Sequence, residues 1–127
     1  CLIIANGCHE CERRYKHPKP HYYQFEHGRT FAFAGIWEKA TGSQTNTVKS
    51  CSILTKQASS PVLSIHGRMP AIVPPENENQ WKINVLNKDS EIKNLLQSAS
   101  PQTLEGWTVS NLINSWKNNN QQCISRV

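Results

Sequence analysis

Nowhere in this chain do about 18 apolar residues follow one another, so no segment reads as a membrane-crossing helix. A secretory leader is also missing: Cys1-Leu2-Ile3-Ile4-Ala5 is apolar, but it lacks a basic flank and is too short for the core of a signal peptide. The expectation is a soluble protein inside the cell. The five cysteines, Cys1, Cys8, Cys11, Cys51 and Cys123, form an odd set. Without a leader, that argues against a disulfide framework and for reduced thiols. Acids are in deficit, 9 against 14 Lys and Arg, for a formal charge of +5 and a pI near 9.1. Such a balance favours a polyanionic partner. The polar excess lies in Asn, Gln and Ser, which predicts generous loops. No internal repeat or long linker interrupts the 127 residues, a length that suits one domain over 1–127.

What is present reads mostly as strand. Cys1 to Ala5 is a short buried strand stopped by the turn signal Asn6-Gly7. Glu12 to Lys19 is basic and ends in Pro18-Lys19-Pro20, which blocks regular helix and marks an exposed loop. Tyr22 to Phe25 and Thr30 to Ala34 read as the two strands of a hairpin turned at His27-Gly28. Thr41 to Asn46 is a polar turn, Val48 to Thr55 a further strand broken by Ser59-Ser60-Pro61, and Ala71 to Val73 one more. Pro75 with Glu76 and Glu78 suits the start of a short helix through Trp81. Ser90 to Leu96 is a second helix, capped by Asp89 or Ser90, with Ile92, Leu95 and Leu96 on one face. Val109 to Trp116 reads as a loop or frayed helix, and Trp37 and Trp81 are assigned to the core. The sum is an α+β fold with strands dominant.

Four constellations carry possible chemistry, weighed against plainer structural readings. Glu10 follows a strand and a turn; if partly buried it suits general acid and base work, and otherwise it is a surface charge. His66 stands two residues before Arg68, so in an extended chain both point to one face. There an imidazole can move protons and a guanidinium can hold a phosphate; the alternative is a structural histidine beside a solvated arginine. Cys8-x-x-Cys11 with His17-x-x-x-His21 offers the donor types of a zinc site, but the gap from Cys11 to His17 is too short for the finger pattern. Arg13, Arg14, Lys16, Lys19 and Arg29, interleaved with Tyr15, Tyr22 and Tyr23, suit either a groove with stacking platforms for single-stranded nucleic acid or a solvated hairpin with aromatics in the core.

Taken in order, Cys1-Leu2-Ile3-Ile4-Ala5-Asn6-Gly7, Glu10, Phe31 to Glu38, Ser52-Ile53-Leu54-Thr55, His66-x-Arg68-Met69-Pro70 and Pro74-Pro75 resemble successive blocks of the SOS-response-associated peptidase family. Its members include the abasic-site shielding proteins of bacteria and animals. The resemblance runs from Cys1 to about Asn114. It implies a mostly β, barrel-like α+β domain with a few short helices that binds single-stranded DNA. In the family an N-terminal cysteine, exposed by autoproteolytic loss of Met, traps the aldehyde of an abasic site through an imine and then a thiazolidine. Carried over, Glu10 is the acid and base assisting ring opening and Met removal, and His66 is the proton-transferring imidazole. Arg68 is a phosphate contact and Thr55 a neighbouring DNA contact. No cofactor, metal or membrane is implied, and the location is the cytoplasm of a bacterium or the nucleus of a eukaryote.

The family's opening Cys-Gly-Arg does not occur here, and Cys1 matches an internal family cysteine. Cys8, His9 and Cys11 stand where relatives usually carry aromatics. The expectation is therefore a domain without its first part, in which Cys1 is a substitute nucleophile only if it is the terminal residue. The alternatives are an inactive remnant that binds single-stranded DNA, or a small zinc-binding domain.

Overall fold

The computed structural model describes residues 1–12, 16, 18–41, 47–83, 89–98 and 104–127. They form an α+β arrangement dominated by strands, grouped into two compact units. Arg13, Arg14, Tyr15 and His17 lie outside the described residues, as do 42–46 of the expected polar turn.

The first unit comprises Cys1–Ala5, Phe31–Lys56 and Pro70–Ser100. Its spine is β4 (Phe31–Thr41), paired antiparallel with β1 (Leu2–Ala5), β8 (Ile72–Val73) and β5 (Thr47–Ile53). Phe31 to Gly35 are all buried, as befits a run of apolar and small residues covered on both faces. From Ile36 to Ala40 every residue is exposed, so strand β4 leaves the core and continues with β5 as a two-stranded ribbon. The core gathers Ala34, Ala71, Val73 and Leu95, with Leu2, Leu54, Trp81 and Leu96 packed against it. Both expected helices form: α1 (Glu78–Ile83) follows a 3-10 turn at Pro75–Asn77, and α2 (Asp89–Ser98) buries Leu95 with Ile92 and Leu96 half-buried, a helical spacing.

The second unit comprises Asn6–Thr30, Gln57–Met69 and Pro101–Val127. Here β2 (Cys8–Glu12), β3 (Lys19–Phe25) and β9 (Leu104–Thr108) form an antiparallel sheet with β3 at its centre. Tyr22 and Tyr23 point to opposite faces, yet both are buried, so each face is covered. Tyr22 packs between His9 and Trp107 at ring separations of 5.0 and 5.3 Å. Below them Trp107 Nε1 donates to the Ile124 carbonyl at 2.9 Å and the Arg126 guanidinium lies 5.3 Å from the Trp107 ring. Gln57 at the end of β6 (Thr55–Gln57) and Arg68 and Met69 of β7 (Arg68–Pro70) also belong to this unit.

Several expectations are corrected. Strands β3 and β4 flank the turn at His27 and Gly28, both at positive φ, but they do not pair: β3 is flanked by β2 and β9, and β4 by β1, β8 and β5. Of the two readings of Tyr22 and Tyr23 the core one holds, whereas Trp37, assigned to the core, is 57% exposed on the ribbon.

Candidate active site

Glu10 stands at the middle of β2, a second strand just past the turn that it was expected to follow. Cys-His-Glu-Cys-Glu has little intrinsic strand preference, and pairing to β3 supplies the order, with Glu10 directly opposite His21. Alternation puts Cys8, Glu10 and Glu12 on one face with His21 and Tyr23.

His66 reaches the same place from another segment of the unit. A 3-10 turn over Val62–Ser64 ends with the Ile65 and His66 amides both donating to the Val62 carbonyl at 2.9 Å. Val62 and Met69 are buried on either side, the Ala58 amide donates to the Gly67 carbonyl at 3.0 Å, and the Ser59 amide reaches the Met69 sulfur at 3.5 Å. This bracing presents the imidazole beside the carboxyl group: His66 Nδ1 lies 3.7 Å from Glu10 Oε2, with side-chain exposures of 37% and 19%.

Hydrogen bonding sets which ring nitrogen exchanges a proton. His66 Nδ1 is 2.7 Å from the Arg68 carbonyl oxygen. A carbonyl only accepts, so the 2.7 Å contact calls for hydrogen on Nδ1 and outweighs the longer 3.4 Å approach of the Arg68 amide to the same nitrogen, which leaves the lone pair of the neutral ring at Nε2. When Nε2 takes a proton, the imidazolium keeps the Arg68 bond and gains the Glu10 carboxylate as an ion-pair partner. The nitrogen open to a further proton is therefore Nε2. Nothing in the sequence signals this constraint, because a backbone carbonyl imposes it.

Three neighbouring groups, Cys8, Tyr23 and His21, stay neutral near pH 7. Burial, with the Glu10 charge adding to it, pushes the Cys8 thiol up to about 11. Burial first, then Cys8, Glu10 and Glu12, pushes the Tyr23 hydroxyl up to about 12. His21 is lowered by burial, and its Nε2 is enclosed with no hydrogen-bond partner among the described residues. Cys8 and Cys11 stand three apart on a strand and leave opposite faces, so the zinc reading loses its first ligand pair. Among the described residues no three His, Cys, Asp or Glu side chains form a metal-holding group.

The remaining expected site residues divide. Arg68 opens β7 in the second unit with its side chain exposed, joined to His66 through its carbonyl. His66 itself lies in irregular backbone before that strand, followed by a bend at Gly67, so the expected strand alternation with Arg68 does not apply. Thr55 opens β6 and belongs to the first unit, also exposed. Cys1 belongs to the first unit too: its nitrogen donates to the Gly35 carbonyl at 2.7 Å, and its carbonyl accepts from Gly35 at 2.9 Å and from Trp81 Nε1 at 2.7 Å.

Known proteins resemble this chain over most of its length. An abasic site processing protein, YoqW, of Bacillus subtilis is 35% identical over 126 residues, covering 98% of this chain and 56% of the relative. HMCES of Xenopus tropicalis, also named an abasic site processing protein, is 23% identical across the whole chain and 43% of its own length. A crystal structure of a Bacteroides thetaiotaomicron protein superposes with a TM-score of 0.85 at 22% identity, covering 100% of this chain and 56% of that one. The chain thus spans about half the length of these relatives. The model of the SOS response associated peptidase family (SRAP) matches residues 1–116, and with that match the chain belongs to this family.

Proposed function

We propose that the protein binds single-stranded DNA at abasic sites and promotes the opening and trapping of the damaged sugar, with Glu10 and His66 transferring the protons. The observation that carries this reading is the 3.7 Å approach of the two side chains, together with the Arg68 carbonyl that holds His66 in one tautomer. The names of the relatives supply the substrate.

In the closed sugar, the C1′ hydroxyl gives its proton to the Glu10 carboxylate and the C1′–O4′ bond breaks. O4′ takes the proton from Nε2 of the His66 imidazolium. The products are an aldehyde at C1′ and a free C4′ hydroxyl. The same two groups serve the dehydration of the carbinolamine that forms when an amine attacks the aldehyde, since that step also needs one proton delivered and one removed. Arg68 holds a backbone phosphate and Thr55, in the first unit, makes a DNA contact of its own, against a background of positive charge.

The test separates this acid–base function from any nucleophile of the chain itself. A single-stranded oligonucleotide with one abasic site is mixed with free cysteine, and thiazolidine formation is timed with and without the protein. The protein accelerates trapping, and Glu10→Gln or His66→Ala each remove about 10²–10⁴-fold of that acceleration. Equal rates with and without protein, or rates indifferent to both substitutions, defeat the proposal.

A further inference from the structure

The ribbon of β4 and β5 is exposed along its length, and one of its faces carries a costly arrangement. Lys39 on β4 stands directly opposite Lys49 on β5, and both are exposed. Directly opposed residues in antiparallel strands hold their Cβ atoms about 5 Å apart, and like charges there repel. Two residues back along the same face, Trp37 faces Cys51 and is 57% exposed. Alternation turns Glu38 to the other face, so the described residues of the Lys39 face include no carboxylate. Trp37 also forms part of the rim of a cavity of about 390 Å³ shared with Trp81, Lys82 and Ile92. All these residues lie in the first unit.

We infer that this face is a second contact for single-stranded DNA, in which a backbone phosphate bridges Lys39 and Lys49 and an adjoining base stacks on Trp37. The inference rests on the DNA-binding reading above and adds a surface that the Glu10 and His66 chemistry does not use. A phosphate between the two ammonium groups turns their repulsion into attraction. Residues i and i+2 of a strand lie about 7 Å apart, comparable to the span from a nucleotide's phosphate to its base. An exposed indole offers any base a flat partner, and Lys82 at the cavity rim adds a further cation. An acidic protein segment would neutralise the lysines but would leave the indole without its stacking partner.

Fluorescence anisotropy with a labelled single-stranded oligonucleotide lacking abasic sites tests this across a range of salt concentrations. The Lys39→Ser/Lys49→Ser double variant binds more weakly, and the slope of log affinity against log salt falls by about 0.7 for each phosphate that the protein no longer neutralises. Trp37→Ala weakens binding about 10-fold or more. Because all three side chains are exposed, thermal midpoints stay at or above that of the parent, and relief of the lysine repulsion raises the lysine variant's. Parent-like affinity and salt slope in both variants overturn the inference while leaving the DNA-binding reading intact, including where an acidic peptide proves the better ligand. Loss of oligonucleotide binding by the parent protein itself overturns both.

Discussion

At the scale of single residues, the site depends on a carbonyl that no side-chain pattern announces. His66 is exposed enough to meet a substrate, yet its ring orientation is set by the 2.7 Å bond from Nδ1 to the Arg68 carbonyl. Nitrogen-15 shifts of the ring in the neutral protein are therefore expected to show hydrogen on Nδ1 and a bare Nε2. The opposite pattern would remove the assignment of the moving proton.

At the scale of elements, the sheet that presents Glu10 depends on two positions without a side chain. A Cβ at Gly7 would fall on the Tyr22 hydroxyl, and one at Gly106, opposite Tyr23 on β9, would fall on the Tyr23 ring. Both rings are buried and cannot swing away, so Gly7→Ala and Gly106→Ala each destabilise by about 1–3 kcal/mol or more. Denaturant melts would show this, and a parent-like midpoint in either variant would contradict the packing described. In the first unit, Leu95 joins α2 to Ala34, Ala71 and Val73. Leu95→Ala leaves a cavity there and costs about 2–5 kcal/mol, read from the same melts.

At the scale of the whole molecule, stability should be confined to a band of pH. In the unfolded chain Cys8 ionises around its ordinary 9.0, but in the folded one it holds its proton to about 11. Its contribution is complete below pH 9 and is lost as pH rises toward 11. Tyr23, raised from 10.0 to about 12, extends the loss to higher pH. His21 acts in the other direction: burial lowers it below its ordinary 6.5, so the unfolded state takes up a proton first and stability falls as pH drops through that value. Urea midpoints measured against pH should form a plateau between about 6.5 and 9 with decline on both sides, and Cys8→Ala should flatten the alkaline side. A midpoint that keeps rising above pH 9 would contradict the burial of both groups.

The sequence alone determined the elements whose signals are local. The apolar opening strand ended by Asn6-Gly7, the proline-led turn before α1 and the spacing of Ile92, Leu95 and Leu96 all act through nearest neighbours in the chain. The ordered family blocks were legible too, because each is contiguous. Strand β2, with its polar and thiol residues, and strand β9 carry weak local preferences and become strands only by pairing with β3. The same non-local pairing decided that β3 and β4 are not a hairpin and that β4 runs out of the core, exposing Trp37. The meeting of Glu10 with His66 is likewise a product of tertiary structure. Side-chain spacing in sequence carries no record of two segments that approach only when Val62 and Met69 are buried and the Arg68 carbonyl turns toward the imidazole.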